Sequence, residues 1–444
     1  MRPRHGRGWR VWLRDASAQF WFIPALMSVA GYVLAELGIR LERDGHVPRG
    51  LRFIYDGGEE GGRTLLSAIS AITIGVAGTV FSITIAALSY SVGVMGPRLL
   101  RNFTRDRGNQ VTLGIFIGTF TFALFSLRAV RSAEEGGSFV PHYNVTLALA
   151  FSVACIAALV YYLSHITATI NTTSVVNFLC RDMRNSLLQA TERRDLDPDG
   201  VTPPTDEFWH LGQPIRLTSN GGYVQTIDYD FLLDVAVRHD LVLDITLRPG
   251  DYAYPHSIVA VGVPDAPAEV LKAFAIGDQR TIEQDLEFAV RQLSEMAVRA
   301  LSPAINDPIT AIDVLDRFGD ALCTLEDRRW PDGIMTAGGV VRVVAPVTSF
   351  GGLTDSMFHM IRQYGHTAPA VATRMMDVLT VSASCLTDDE RHGHLRRHAD
   401  LLMADARVGI VNASDLADVE HRYARFCQVV DDEHHGDWTV PQRG

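Results

Sequence analysis

Lysine is almost missing from this 444-residue chain: Lys272 is the single one among 40 basic residues, and the rest are arginine. Cysteine is sparse as well. The five copies (Cys155, Cys180, Cys323, Cys385, Cys427) contain no C-x-x-C pair, which argues against a disulfide framework or a cysteine zinc site and leads us to expect reduced thiols. The signatures G-x-x-x-x-G-K-[ST], G-x-S-x-G, H-E-x-x-H and G-x-G-x-x-G are all lacking, so neither an enzyme nor a bound cofactor is expected. Three long stretches also lack Asp, Glu, Lys and Arg altogether. Proton-coupled pumps generally keep an ionisable relay at membrane depth, so this absence disfavours them.

Charge divides the chain. Residues 1–176 hold 16 Arg against 10 Asp/Glu, a net of +6, whereas residues 177–444 hold 24 basic against 41 acidic residues, a net of −17. The acidic second part offers no basic face for phosphates, so nucleic acid is not expected as a partner. The first part consists of four apolar blocks, Ser17–Ile39, Thr64–Met95, Gln110–Leu127 and Asn144–Ile170. Each meets the length of about 20 mostly apolar residues that a bilayer crossing requires. The first block contains Pro24 and has no small-residue cleavage pattern before Arg40, so it reads as a membrane segment rather than a signal peptide. Trp9, Trp12 and Trp21 flank its start as interfacial anchors.

Arginine placement predicts the orientation. Arg2, Arg4, Arg7, Arg10 and Arg14 precede the first block. Arg98, Arg101, Arg105 and Arg107 separate the second from the third, and Arg181 and Arg184 follow the fourth. The remaining two connections are mixed in sign. The positive-inside rule therefore puts the N-terminus, the second connection and the C-terminal region in the cytoplasm.

The second block is unusual, with 32 uncharged residues, or about 48 Å of helix at 1.5 Å per residue, more than the hydrocarbon core needs. Ser67, Ala71, Gly75 and Thr79 recur every four residues along it, and the third block carries Gly114 and Gly118 as a G-x-x-x-G. Small residues at this spacing let helix backbones approach closely. They suit packing within one bundle; they also suit a contact between subunits, or a hydroxyl-lined pore formed by repeating the helix around an axis. His142 and His165 sit at the ends of the fourth block and read as satisfied interfacial histidines.

Past Ile170 the pattern predicts an amphipathic helix to about Thr191 on Val175, Val176, Leu179, Met183, Leu187 and Leu188, then a Pro/Asp/Gly-rich linker, Asp195–Asp206. Strands are expected at Ile215–Leu217, Tyr223–Ile227, Leu241–Leu247 and Ile258–Val263, with Asp228 capping a short helix Tyr229–His239. The segment LRPGDYAYPHSIVAV is similar to a lipoyl or biotinyl carrier hairpin, but the lysine such a carrier modifies is absent from it. Thr281 and Gln284 predict a capping box ahead of a helix reaching Ala300, with Arg280 opening that helix. VVRVVAP reads as a lone strand. Helices are predicted at Gly352–Tyr364, Ala368–Leu386, Asp388–Ala406 and Ala413–Asp431.

Two polar features of this region are candidates for function. The proline-stiffened loop Ser302–Thr310 presents Ser302, Asn306 and Asp307, with Arg280 as a further candidate. Either Asp307 caps the helix opened by Pro308, or the group contacts an ion or small ligand. The histidines His392, His394, His398, His434 and His435 cluster near the end. His394 and His398 have chelating i, i+4 spacing, yet no third ligand has diagnostic spacing, so a solvated acidic and basic face is expected and no metal site.

The blocks GGRTLLSAISAITIGVAGTVFSITIAALS (61–89), GPRLLRNFTRDRGNQVTLGIFIGTF (96–120), VPHYNVTLALA (140–150) and RALSPAINDPITA (299–311) resemble, in that order, the bacterial DUF2254 membrane proteins. The resemblance implies an integral inner-membrane protein. It implies no activity, because the family is named for an unknown function, and it transfers no functional residues.

The expectation is thus an α-helical membrane protein with four transmembrane helices plus a cytoplasmic α+β region, a small β-unit followed by a helical tail. Its divisions would be a basic cytoplasmic arm (1–16), the four-helix transmembrane domain (17–170), an amphipathic helix and linker (171–213), a small β-rich unit (214–265), a helical cytoplasmic domain (277–431) and a tail (432–444). Expected partners are the lipid bilayer, further copies of the chain as a homo-oligomer, and an ion or small ligand. The functional expectation is a channel-like or transport-related role gated by the cytoplasmic domain; the alternative is a non-conducting sensor or scaffold that binds a ligand or partner.

Overall fold

A computed structural model describes residues 19–44, 55–95, 106–131, 139–170, 172–193, 203–281 and 284–431. The basic arm with Trp9 and Trp12, the arginines at 98–105, the linker at 195–202, and the tail with His434 and His435 lie outside the described residues. The chain divides between Val175 and Val176 into two compact units.

The first unit contains α1 (Phe22–Arg43), α2 (Glu59–Met95), α3 (Arg107–Ala129) and α4 (His142–Ile170). All four are long and apolar enough to cross a membrane, and each contains one of the four expected blocks, Ser17–Ile39 except for its first residues. Asp106 caps α3 by accepting from the Gly108 amide and also pairs with His165 Nε2 at 2.6 Å. His142 Nδ1 lies 2.9 Å from the Tyr55 carbonyl oxygen, so both histidines are satisfied as expected. The third helix is the central one. Half of its apolar window is buried, against 22% to 28% for the others, and it packs on all three of them. Large apolar side chains such as Leu26, Val29, Ile72, Val153, Ile156 and Val160 face outward. Water would not tolerate so continuous an apolar exterior; a bilayer does.

Polar groups inside the bundle are tied to one another. Asn144 donates to the Ala35 carbonyl oxygen and to Ser126 Oγ. The Tyr162 hydroxyl donates to the Val80 carbonyl oxygen and meets Thr84 Oγ1 at 2.9 Å. In hydrocarbon such bonds hold helices together because water cannot replace them.

The second unit begins within α5 (Thr172–Ala190), whose Val176, Leu179, Met183 and Leu187 are buried on one face as the periodicity predicts. Then follow β1 (Glu192–Arg193), α6 (Asp206–Trp209), β2 (Gln213–Arg216), β3 (Gly222–Ile227), α7 (Tyr229–Arg238), β4 (Val242–Ile245), β5 (Tyr252–Ala253), β6 (Ile258–Val263), a short 3₁₀ turn (Ala268–Ala273) and β7 (Phe274–Gly277). Asp228 caps α7 through the Phe231 amide, as predicted. The remainder is α8 (Leu286–Ala300), α9 (Pro308–Cys323), β8 (Arg328–Arg329), β9 (Ile334–Ala337), β10 (Val340–Val344), α10 (Phe350–Gly365), α11 (Pro369–Cys385), α12 (Asp389–Gly409) and α13 (Ala413–Asp431).

Several sequence expectations are corrected here. VVRVVAP is not a lone strand: β10 pairs in parallel with β4, Val343 opposite Leu243, within a five-stranded sheet ordered β2-β6-β4-β10-β9. Val343 and Ala345 thereby complete a core shared with Leu217, Leu232, Leu243 and Val259. The carrier-like segment is not one hairpin, because β5 joins a second sheet, β5-β3-β7, while β6 stays in the first. The capping box does not form. Gln284 instead bonds the amide and carbonyl of Ile227, Thr281 donates to the Gln225 carbonyl, and Asp285 stands at the N-cap of α8. Both side chains are drawn to the neighbouring strand, where they satisfy backbone groups that no further strand covers among the described residues. Finally, Cys323 and Cys385 are not reduced thiols. They end α9 and α11, and with Cα atoms 5.2 Å apart they form a disulfide. Two packed helices bring together cysteines that no local spacing relates.

Candidate functional site

The Ser302–Thr310 loop is built for capping. The Asn306 amide donates to the Ser302 carbonyl and the Asp307 amide to that of Ala300, both at 2.8 Å. Asn306 takes φ of 51°, the left-handed region that asparagine tolerates better than most residues. Asp307 accepts from the Thr310 amide and hydroxyl, and Pro308 occupies the first helical turn. Its carboxylate is thus committed to the start of α9. Arg280 does not open α8, which starts at Leu286. Its guanidinium binds Asp285, with Nε donating at 2.7 Å. Burial pushes the Asp285 carboxyl up, against the opposing charge of Arg280. Gly250, at φ of 93°, lies against this pair, where a side chain would collide with both groups.

The two membrane stripes part company. Gly114 and Gly118 face α1: a β-carbon at Gly118 would sit 3.0 Å from the Met27 carbonyl oxygen, and one at Gly114 would strike the Met27 side chain. The G-x-x-x-G is therefore a packing device within the bundle. Ser67, Ala71, Gly75 and Thr79, in contrast, are all exposed on α2. A β-carbon at Gly75 or at neighbouring Gly78 would meet nothing within 4 Å among the described residues. The hydroxyls of Thr79 and Ser82 donate back to carbonyls one turn earlier, so the stripe is smooth as well as small.

The histidines overturn the expected solvated face. His394 is half-exposed, but His392 and His398 are buried, the latter completely. His392 Nε2 lies 2.9 Å from the Ala383 carbonyl oxygen and 2.7 Å from that of Leu386. His398 meets His359, not His394, with ring centroids 5.1 Å apart. Asp355 completes the group: its Oδ1 is 3.1 Å from His359 Nε2 and 3.2 Å from His398 Nε2. Sequence reasoning missed this trio because it lies on two helices, although the i, i+4 pair Asp355 and His359 was visible in the chain. It also missed a cavity of about 320 Å³ in the second unit, lined among others by Tyr229, Arg248, Gln284 and Thr348. Burial there pushes the Tyr229 hydroxyl up to about 12.

Comparison with known proteins covers most of the chain. Residues 17–381 match the family model described as "Predicted membrane protein (DUF2254)". The uncharacterized proteins Rv1290c of Mycobacterium tuberculosis and Mb1321c of Mycobacterium bovis are each 31% identical over 395 residues, which is 86% of this chain and 75% of theirs. No solved structure matches significantly. With four helices fit to cross a bilayer and a match over most of its length, the chain belongs to the DUF2254 family of membrane proteins.

Proposed function

We propose that this protein is a homo-oligomer of the bacterial inner membrane, with both termini cytoplasmic, and that copies of α2 meet through Ser67, Ala71, Gly75 and Thr79. Its role in this reading is channel-like or transport-related, a narrow path lined or sealed by α2 and gated by the C-terminal region. The observation that carries the reading is the exposed stripe itself. Lipid gains nothing from a small-residue face, whereas a second helix can approach it closely and recover van der Waals contact. The test is disulfide trapping of Ala71→Cys or Thr79→Cys in native membranes, followed by liposome flux with the purified protein. A monomer that neither crosslinks nor conducts under voltage, tension or pH change overturns it.

The 320 Å³ cavity favours a second reading, a non-conducting sensor whose C-terminal region binds a small ligand. Arg248 lines that cavity, paired with Glu287 Oε1 at 3.4 Å and Asp251 Oδ1 at 3.8 Å, and a ligand with an acidic or carbonyl group would share its guanidinium with them. Thermal-shift screening of wild type against Arg248→Ala tests it; a set of anionic metabolites that shifts neither protein removes it.

A further inference from the structure

We propose that Asp355, His359 and His398 form a binding site for a divalent transition-metal cation. Asp355 and His359 sit four residues apart on α10 and so share a face; His398 comes from α12, which packs against it. The three candidate ligand atoms lie within 4.8 Å of one another. Ligands about 2.0–2.1 Å from a tetrahedral ion are roughly 3.3 Å apart. The two distances from Asp355 Oδ1, 3.1 and 3.2 Å, are close to that edge without any rearrangement.

A second observation points to an ion. His398 is completely buried; among the described residues its Nδ1 makes no hydrogen bond, and its Nε2 meets the Asp355 carboxylate at 3.2 Å without hydrogen-bond geometry; Nδ1 of His359 makes no hydrogen bond either. Buried polar atoms are rarely left so. A cation held between Asp355 Oδ1 and His398 Nε2 would give this buried nitrogen a well-directed bond. Two imidazoles and one carboxylate, with further positions open, suit zinc, iron or manganese better than calcium or magnesium. Asp355 and His359 are partly exposed, which leaves a way in for the ion.

Two arginines bear on the site. Arg397 Nη1 donates to Asp355 Oδ1 at 2.6 Å, and its Nη2 lies 3.3 Å from His359 Nε2. It therefore competes with a cation, and its half-exposed side chain would have to move aside for one to bind. Arg362 is held by Asp405. A bound ion would clamp α10 to α12.

The experiment uses the untagged full-length protein in detergent, stripped with chelator and titrated with Co²⁺. The expected result is one equivalent taken up with the visible absorption of a low-coordinate site. Asp355→Asn and His359→Gln, checked for fold by circular dichroism, should each weaken uptake by more than about 100-fold, the loss that outer-shell changes alone can reach. His394→Gln should leave it unchanged, and Arg397→Gln should tighten it by removing the competitor. X-ray absorption of the zinc-loaded wild type should show two imidazole ligands, which decides the matter even if a variant fails to fold. No stoichiometric uptake, uptake that survives both ligand substitutions, or a spectrum without imidazole overturns the proposal.

Discussion

Gly31 of α1 lies so close to Gly118 of α3 that a β-carbon on Gly31 would collide with the Gly118 carbonyl oxygen. Glycine is required there by contact between backbones. At Gly75 no such contact exists among the described residues.

This contrast sets the first prediction. Gly118→Leu should lower the melting temperature of the detergent-solubilised protein, with an overpacking cost of about 1–3 kcal/mol. Gly75→Leu should leave melting of the single chain unchanged but reduce its self-association, read by light scattering on a sizing column. Equal melting losses in both variants would place Gly75 in the bundle interior.

Asp307 should behave as a cap. Asp307→Ala is expected to cost about 1 kcal/mol, and Asp307→Ser to recover most of it, because a hydroxyl can still accept from the Thr310 amide. The check is thermal unfolding of the two variants. A variant of unchanged stability would show that the carboxylate serves something other than α9.

Acid should destabilise the protein through His398. An unfolded imidazole titrates near 6.5, and in the fold burial, then the His359 charge, lower it to about 3, with Asp355 opposing and Arg397 and Arg362 adding to the shift. Between those values the unfolded chain binds the extra proton. The contribution of His398 is therefore complete above pH 6.5 and is lost as pH falls through the window. In chelator-treated protein, His398→Gln should flatten the fall in melting temperature on acidification, while His394→Gln should keep the wild-type slope.

The cysteine pair predicts a thiol count. Of five cysteines, Cys155, Cys180 and Cys427 are free, so alkylation of denatured, unreduced protein should label three sites, and five after reduction. Closing a loop across a separation of 62 residues is worth about 4 kcal/mol in the chain-entropy account, so Cys323→Ser should melt measurably earlier. Five labelled sites without reductant would return the pair to the reduced state.

Much of this architecture is carried by local pattern. The apolar blocks mark the four membrane helices because backbone groups in hydrocarbon must be satisfied within the segment, and Asp228 and Asp307 cap their helices because a cap needs partners only three residues away. The Gln284 side chain shows the limit of such reasoning. Its spacing from Thr281 suits a capping box, but a strand edge at Ile227, remote in sequence, offers better-placed partners.

The sequence by itself determined the membrane segments, most of the later strands and helices, and the family. Those follow from composition and from periods of two and about 3.6 residues, which are local quantities. Only the tertiary structure decided that Gly114 and Gly118 pack inward while the α2 stripe stays open. It alone set β10 beside β4, bonded Cys323 to Cys385, and brought His398 to Asp355 and His359. Each of these depends on which faces of distant segments meet, and that is fixed by packing across the core rather than by any residue's neighbours in the chain.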